Sequence, residues 1–420
     1  MHIFHLRGLA ALPQKSLALI SFFLCLSGVQ LSAIGPGTLL DVELLGSYSP
    51  EAIQLENEML FETAGVPDPR YEVDHYLLHF QSTDVDGSAA RIRAQLFVPR
   101  FSDSAEAPVY VFAAGTTGVS EKCAPIKEDP VVNRWGSFRA NMLAYAGEGF
   151  ITLFPEYLGF GDPETPQRYF SKVAEAHVML DAARAVTAFF EQHDTFARPS
   201  DALFLGGFSQ GGHAAHSAAD LQAQYAPEIE ITGLVGYGQT NDVAMLMREM
   251  AYYSPYIIYT YAEIYGRERI NPADYLLPKW LPSFEEDIHG LCVEEFQHHY
   301  PRDGRELFTK EFYNALHADI EGFRLARVFP EMAQALRENR AGFEGHGLPS
   351  LVLHGAQDII VSTAAQERFV AALCRGGSEV QFKILPEARH RDVRPDGFQY
   401  SVSWMKHLAE GGTPPNDCTP

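Results

Sequence analysis

Residues Asp201–His216, D-A-L-F-L-G-G-F-S-Q-G-G-H-A-A-H, restrict the possible folds more than any other stretch of the chain. Ala202–Phe208 is a short apolar run with the length of a buried β-strand. It ends in the pentapeptide Gly207-Phe208-Ser209-Gln210-Gly211, and Gly212–Tyr225 beyond it is Ala-rich with helical spacing. The order is therefore strand, tight turn, helix. A Cβ at 207 or 211 would collide with the neighbouring strand or helix, so both places call for glycine. Such a turn lifts the Ser209 hydroxyl clear of the sheet, and the helix N-terminus beneath it offers free N–H groups to a developing oxyanion. Three fixed positions alone recur by chance in roughly one chain in ten of this size. The strand before and the helix after are what give the motif meaning.

The flanking sequence continues the alternation. Ser49-Pro50-Glu51 opens a helical stretch to about Ala64, with Ser49 as cap and Pro50 at the first helical position. Glu72–Gln81 and Arg91–Pro99 alternate apolar and polar residues around Asp84-Val85-Asp86-Gly87, a β-hairpin pattern. Val109–Ala114, Phe150–Phe154 and Ile231–Tyr237 read as buried strands, with helices over Phe138–Glu148 and Val173–Phe190. From about Gln239 to Gly347 the rhythm breaks into helix, over Asp242–Gly266 and again over Leu307–Arg337, with a loop at Pro278–Pro282. It resumes with strands at Ser350–His354 and Val380–Leu385 and helices at Thr363–Cys374 and Gly397–Ala409. This predicts an α/β fold with a mostly parallel sheet, helices on both faces and an inserted helical cap. The expected divisions are a signal peptide at 1–33, a first core segment at 34–238, the cap at 239–347, and a second core segment with the tail at 348–420. The tyrosines between 252 and 265 are expected to form cap core, with lining of an apolar pocket the less favoured alternative.

Charge and cysteine use narrow the setting. With 32 basic against 54 acidic residues the formal net charge is −22, and no basic cluster stands out, which excludes nucleic acid as a partner. Basic residues up to Lys15, the apolar run Ser16–Leu26 and the small residues Leu31-Ser32-Ala33 read as a secretory signal peptide rather than a spanning helix. No later stretch is long and apolar enough to span a bilayer, so the mature chain is expected to be secreted or periplasmic without an integral membrane segment. Removing Cys25 with the signal leaves Cys123, Cys292, Cys374 and Cys418, an even number that argues for two disulfides in one of three pairings.

A serine hydroxyl becomes nucleophilic when a base takes its proton and an acid orients that base. In hydrolases with this strand order the partners follow as Ser, then Asp or Glu, then His. Asp358 lies in the turn after the strand that follows the cap, and His390 lies just after the last strand. Both project from strand C-terminal ends, where open α/β sheets place ligands. Asp242 is the alternative acid; His354, inside a strand, and His407, on the terminal helix, are the weaker bases. The oxyanion is expected to rest on the backbone N–H of Gln210 and on a donor after Val109–Ala114, Thr116 with Gly115 beside it. Neither His213 and His216 nor the histidines at 298 and 299 supply four ligands at zinc spacing, so no metal is expected.

Gly115-Thr116-Thr117-Gly118 followed by Cys123-Ala124-Pro125, Pro155–Gly161, Gly207–Gly212 and His354-Gly355-x-x-Asp358 together resemble the secretory lipases, the lipase-A-like α/β-hydrolases of yeasts and bacteria. The resemblance runs from about residue 36 to the end. It implies a capped α/β-hydrolase fold, hydrolysis of acyl esters, no cofactor, and the triad Ser209, Asp358 and His390. It further implies that Cys123 pairs with Cys292 and Cys374 with Cys418. The expected substrate is a small-molecule or lipid ester. An acyltransferase or a peptidase on the same triad, or a non-catalytic binding protein on the same fold, are the rival readings. Because a histidine ordinarily titrates near pH ~6.5, a rate that falls on the acid side is expected.

Overall fold

The computed structural model describes residues 35–418 except 63, 130, 131, 133, 163 and 164, so the expected signal peptide at 1–33 lies outside the described residues. Nine strands are found among those residues: β1 (Leu39–Tyr48), β2 (Val73–Thr83), β3 (Ala89–Pro99), β4 (Ala105–Ala113), β5 (Ile151–Pro155), β6 (Ala197–Phe208), β7 (Gly233–Tyr237), β8 (Ser350–Gly355) and β9 (Val380–Leu385). They form one sheet in the order β1-β2-β3-β5-β4-β6-β7-β8-β9. The first three strands and the β3–β5 pair run antiparallel; from β5 to β9 every pairing is parallel. Strands β5, β7 and β8 are buried along their whole length, which is why they read as unbroken apolar runs rather than alternating ones.

Helices α1 (Pro50–Asn57), α2 (Phe138–Gly147), α3 (Lys172–Gln192) and α4 (Gln210–Tyr225) precede or interleave with these strands. Between β7 and β8 stand α5 (Val243–Glu249), α6 (Ser254–Tyr265), α7 (Pro272–Tyr275), α8 (Phe284–Gly290), α9 (Val293–His299), α10 (Gly304–Leu307), α11 (Lys310–His317), α12 (Phe323–Val328) and α13 (Pro330–Glu338). Helices α14 (Thr363–Arg375) and α15 (Val393–Ala409) close the chain. Residues of opposite parity along a strand face opposite ways, which separates the helical layers. Tyr110 and Phe204, paired across β4 and β6, meet Tyr145 of α2 and Trp404 of α15. Gly207, on the other face, abuts Gly211 of α4, which in turn packs on α3. No helix among the described residues is long and apolar enough to cross a membrane.

Three local expectations are corrected, and one strand was not anticipated. The helix from Pro50 stops at Asn57 instead of Ala64, because the chain turns there to bury Leu60 and to set Phe61 edge-on to Phe398. The single helix expected over Asp242–Gly266 is two, separated by a 3-10 turn at Ala251–Tyr253, with Pro255 inside the first turn of the second. The helix expected over Leu307–Arg337 is broken into α11, α12 and α13 after the end of α10, with Gly322 in a left-handed conformation and Pro330 opening the last. Strand β1 carried no alternation in L-L-D-V-E-L-L; its pairing along β2, from Leu39↔Phe80 to Tyr48↔Val73, determines its conformation.

Candidate active site

Ser209 sits between the end of β6 and the first residue of α4 with φ 54° and ψ −111°, a backbone conformation that costs a non-glycine residue energy. The surroundings hold it there. Its N–H donates to the Tyr237 carbonyl at 2.9 Å, and its carbonyl accepts from Thr240 N–H at 3.1 Å. A Cβ at Gly207 would run into the backbone of Gly211, and one at Gly211 into the Ala113 carbonyl of β4. The close approach of strand and helix at this turn therefore depends on both glycines.

Asp358 and His390 come from the turns after β8 and β9. His390 Nδ1 lies 2.7 Å from Asp358 Oδ2. The other carboxylate oxygen of Asp358 accepts from the N–H groups of Ile360 at 2.8 Å and Val361 at 3.0 Å. Burial by itself would push the Asp358 carboxyl upward. The imidazole of His390 and the two backbone N–H groups outweigh it and hold the carboxyl below the ordinary aspartate value. Ser209 and His390 both line one cavity of about 770 Å³, together with Thr116. Its apolar wall includes Leu60, Trp135, Val293, Ile359 and Ile360, and the His390 ring lies 4.8 Å from that of Phe208.

The residues expected at the oxyanion site fall as follows. Gln210 is the first residue of α4, directly after Ser209, and its side-chain amide donates to Glu175 Oε1 at 2.8 Å. Thr116 Oγ1 is bonded to the Tyr169 hydroxyl at 2.8 Å. Gly115 packs so tightly under Phe208 that a Cβ there would lie 2.7 Å from the ring. Cys123 is joined to Cys292, and Cys374 to Cys418. The first link ties the segment after the Gly-Thr-Thr-Gly loop to the N-cap of α9.

The alternatives occupy other roles. Asp242 caps α5, accepting from Ala244 and Met245 N–H groups. His354 is buried in β8 with Nε2 3.3 Å from Thr363 Oγ1. His407 Nε2 is 2.9 Å from the Thr413 carbonyl. Of the tyrosines at 252–265, Tyr253 alone lines the cavity, while Tyr256 and Tyr261 are wholly buried among other side chains. Sequence reasoning missed Glu175, Tyr169 and Arg394. Arg394 stands in the cavity wall 4.7 Å from the Phe208 ring, its pKa pushed down to about 10 by burial. Nothing in the spacing of these three marks them, since each is brought to the site by packing of separate elements.

The model of the secretory lipase family matches residues 141–254, which include the turn at Ser209. A probable trichothecene esterase of Stachybotrys chartarum is 24% identical over 276 residues, covering 64% of this chain and 52% of that protein. A secreted triacylglycerol lipase of Malassezia globosa is 25% identical over 335 residues, covering 74% of this chain and 65% of the relative. The chain thus spans between about half and two thirds of the length of these curated relatives. Among solved structures, the rice cell wall degrading esterase LipA of Xanthomonas oryzae superposes with a TM-score of 0.67 at 18% identity, over 90% of this chain and 97% of that one. Candida antarctica lipase A in its closed state superposes with a TM-score of 0.61 at 17% identity, over 92% and 86%. These likenesses establish the α/β-hydrolase fold. The secretory lipase model adds a likeness in sequence over residues 141–254, the segment that carries Ser209.

Proposed function

We propose that this protein is a secreted serine ester hydrolase, a lipase or carboxylesterase, that works through Ser209, His390 and Asp358. The observation that carries the reading is the 2.7 Å contact between His390 Nδ1 and Asp358 in a ring that shares its cavity with Ser209. With Nδ1 committed to the carboxylate, Nε2 is the nitrogen left to take the Ser209 proton. Ser209 Oγ attacks the ester carbonyl, and the tetrahedral oxyanion rests on the backbone N–H of Gln210 and on Thr116. His390 then protonates the departing alcohol, and water repeats the sequence to release the acid from the acyl-enzyme. Asp358, ionised well into the acid range, holds the imidazole in one tautomer and offsets its charge when protonated. The apolar wall of the cavity suits an acyl chain.

Secretion is supported by the apolar N-terminal run, by two disulfides, and by relatives named as secreted lipases. We read residues 239–347 as the cap: Tyr253, Val293 and Glu294 from that stretch line the same cavity as Ser209. The test has two arms. A fluorophosphonate probe should label the wild type and leave Ser209→Ala unlabelled; labelling that survives the substitution overturns the assignment. A chain-length series of p-nitrophenyl esters, an emulsified triglyceride and a peptide substrate then separate lipase, esterase and peptidase. Turnover of the peptide alone would refute ester hydrolysis as the activity.

A further inference from the structure

Behind the turn at Ser209 lies a buried carboxylate that the reaction scheme does not use. Glu175, in the first turn of α3, is almost wholly removed from solvent. Its Oε1 accepts two bonds, from the side-chain amide of Gln210 at 2.8 Å and from the N–H of Phe170 at 3.1 Å. Its Oε2 lies 2.5 Å from Nδ1 of His213, which is fully buried one turn along α4 from Ser209.

The protons of this pair can be counted. His213 Nε2 is 2.7 Å from the Asn339 carbonyl, which can only accept, so Nε2 carries a hydrogen. Nδ1 faces a carboxylate oxygen, and two lone pairs would repel at 2.5 Å, so a second hydrogen lies between them. Whichever atom holds it, the pair is neutral overall and Oε1 remains a pure acceptor. A lone carboxylate at this depth would be costly; paired, it can serve two donors.

Both donors lead to the oxyanion site. Gln210 is the expected first donor itself, and its side chain anchors the N-terminus of α4 to Glu175. Phe170 is held at φ 52°, a left-handed conformation that an aromatic residue does not adopt unaided. Its N–H is tied to Glu175 and its carbonyl accepts from the Tyr261 hydroxyl at 3.2 Å. The residue before it, Tyr169, bonds through its hydroxyl to Thr116 Oγ1, the expected second donor. One oxygen atom therefore fixes two segments that are separate in sequence.

We propose that Glu175, neutralised by His213, is the positioning residue for both halves of the oxyanion hole. This rests on the reading of Ser209 as nucleophile with Gln210 and Thr116 as donors. The experiment measures kcat, KM and the affinity for a trifluoromethyl ketone, whose adduct with Ser209 carries the tetrahedral oxyanion. Glu175→Ala should lower kcat about 100-fold with KM within about 3-fold, and weaken the ketone by a factor similar to that in kcat, as expected for loss of a well-placed donor. Glu175→Gln should recover activity to within about 5-fold of wild type. Its oxygen can accept from Gln210 and Phe170 while its NH₂ donates to Nδ1 of a neutral His213. Gln210→Met leaves the Glu175–His213 pair intact and should cost about 10-fold in kcat.

A merely structural role would reduce the active fraction and leave ketone affinity unchanged; that outcome overturns the proposal. So does a folded Glu175→Ala with wild-type kcat, or a Glu175→Gln as impaired as the alanine variant. Should Glu175→Ala fail to fold, wild-type kcat in Gln210→Met overturns it. If Ser209→Ala retains turnover, the catalytic reading itself falls; if that variant is inactive, a failure above belongs to the positioning inference alone.

Discussion

At the ends of β6 and β8 the backbone holds the polar residues, Ser209 by its own N–H and carbonyl to Tyr237 and Thr240, and the Asp358 carboxylate by the N–H groups of Ile360 and Val361; Asp358 in turn holds His390 after β9. In residues 239–347 the polar atoms serve the opposite purpose. Tyr256 stacks on Phe296 with ring centres 3.6 Å apart, and its hydroxyl donates to the Leu291 carbonyl at 2.7 Å. Tyr261 is likewise fully buried, with its hydroxyl on Phe170. At the rim, hydrogen bonds set Ser209 and His390 along the wall of a cavity. In the insertion, they satisfy hydroxyls so that large rings can be buried. Substitutions at the rim should therefore change rate with little change in stability, and those in the insertion the reverse.

The largest expected effect falls on the rim. Ser209→Ala should reduce kcat/KM by about 10⁴-fold or more with a melting temperature near wild type, and Asp358→Asn by about 10³- to 10⁴-fold with only a modest fall in melting temperature. A large fall in melting temperature for Ser209→Ala would break the comparison, because the elbow would then be a stability element.

The two disulfides sharpen it next. Cys123–Cys292 closes a loop with a sequence separation of 169 and Cys374–Cys418 one of 44. On loop-closure entropy the first should stabilise by about 1 kcal/mol more than the second, each being worth about 2–4 kcal/mol. Thermal unfolding of the two Cys→Ser pairs checks the order. Loss of activity beyond the unfolded fraction is expected only for the first, which links the loop beside Thr116 to the insertion.

A smaller effect concerns acid. The Asp358 carboxyl is held below its ordinary value, so the stability it contributes is complete above the unfolded carboxyl's pKa near ~3.9 and is lost as pH falls through the lower folded value. The melting-temperature difference between wild type and Asp358→Asn should be constant above about pH 4 and shrink below it. A difference that already shrinks between pH 7 and 5 would place the cause elsewhere.

The smallest effect belongs to the insertion. Tyr256→Phe removes one buried hydroxyl from a bonded carbonyl and should cost about 1 kcal/mol of stability, with kcat unchanged. A fall in kcat without a fall in melting temperature would show that this tyrosine acts on the site.

Much of the rim was legible because its residues obey local rules. A turn that needs glycine at 207 and 211 declares itself in the chain, and residues just after strands that end on one edge must meet there. The helices of 239–347 were less legible. Pro255, Gly322 and Pro330 interrupt what periodicity alone joins, and β1 is a strand because β2 pairs with it rather than through any alternation of its own. Glu175 illustrates the limit further, since an acid in a helix's first turn reads as an ordinary dipole partner.

By itself, then, the amino-acid order determined the strand–turn–helix at Ser209, the placing of Asp358 and His390 just after later strands, and the alternation that builds a parallel sheet. These depend on backbone sterics and periodicity, which act between near neighbours. Only the tertiary structure decided that Glu175 of α3 meets both Gln210 and Phe170, and that Arg394 of α15 stands beneath Phe208. Those contacts join side chains from elements far apart in the chain, and their partners are chosen by how helices pack on the sheet, a choice no local pattern encodes.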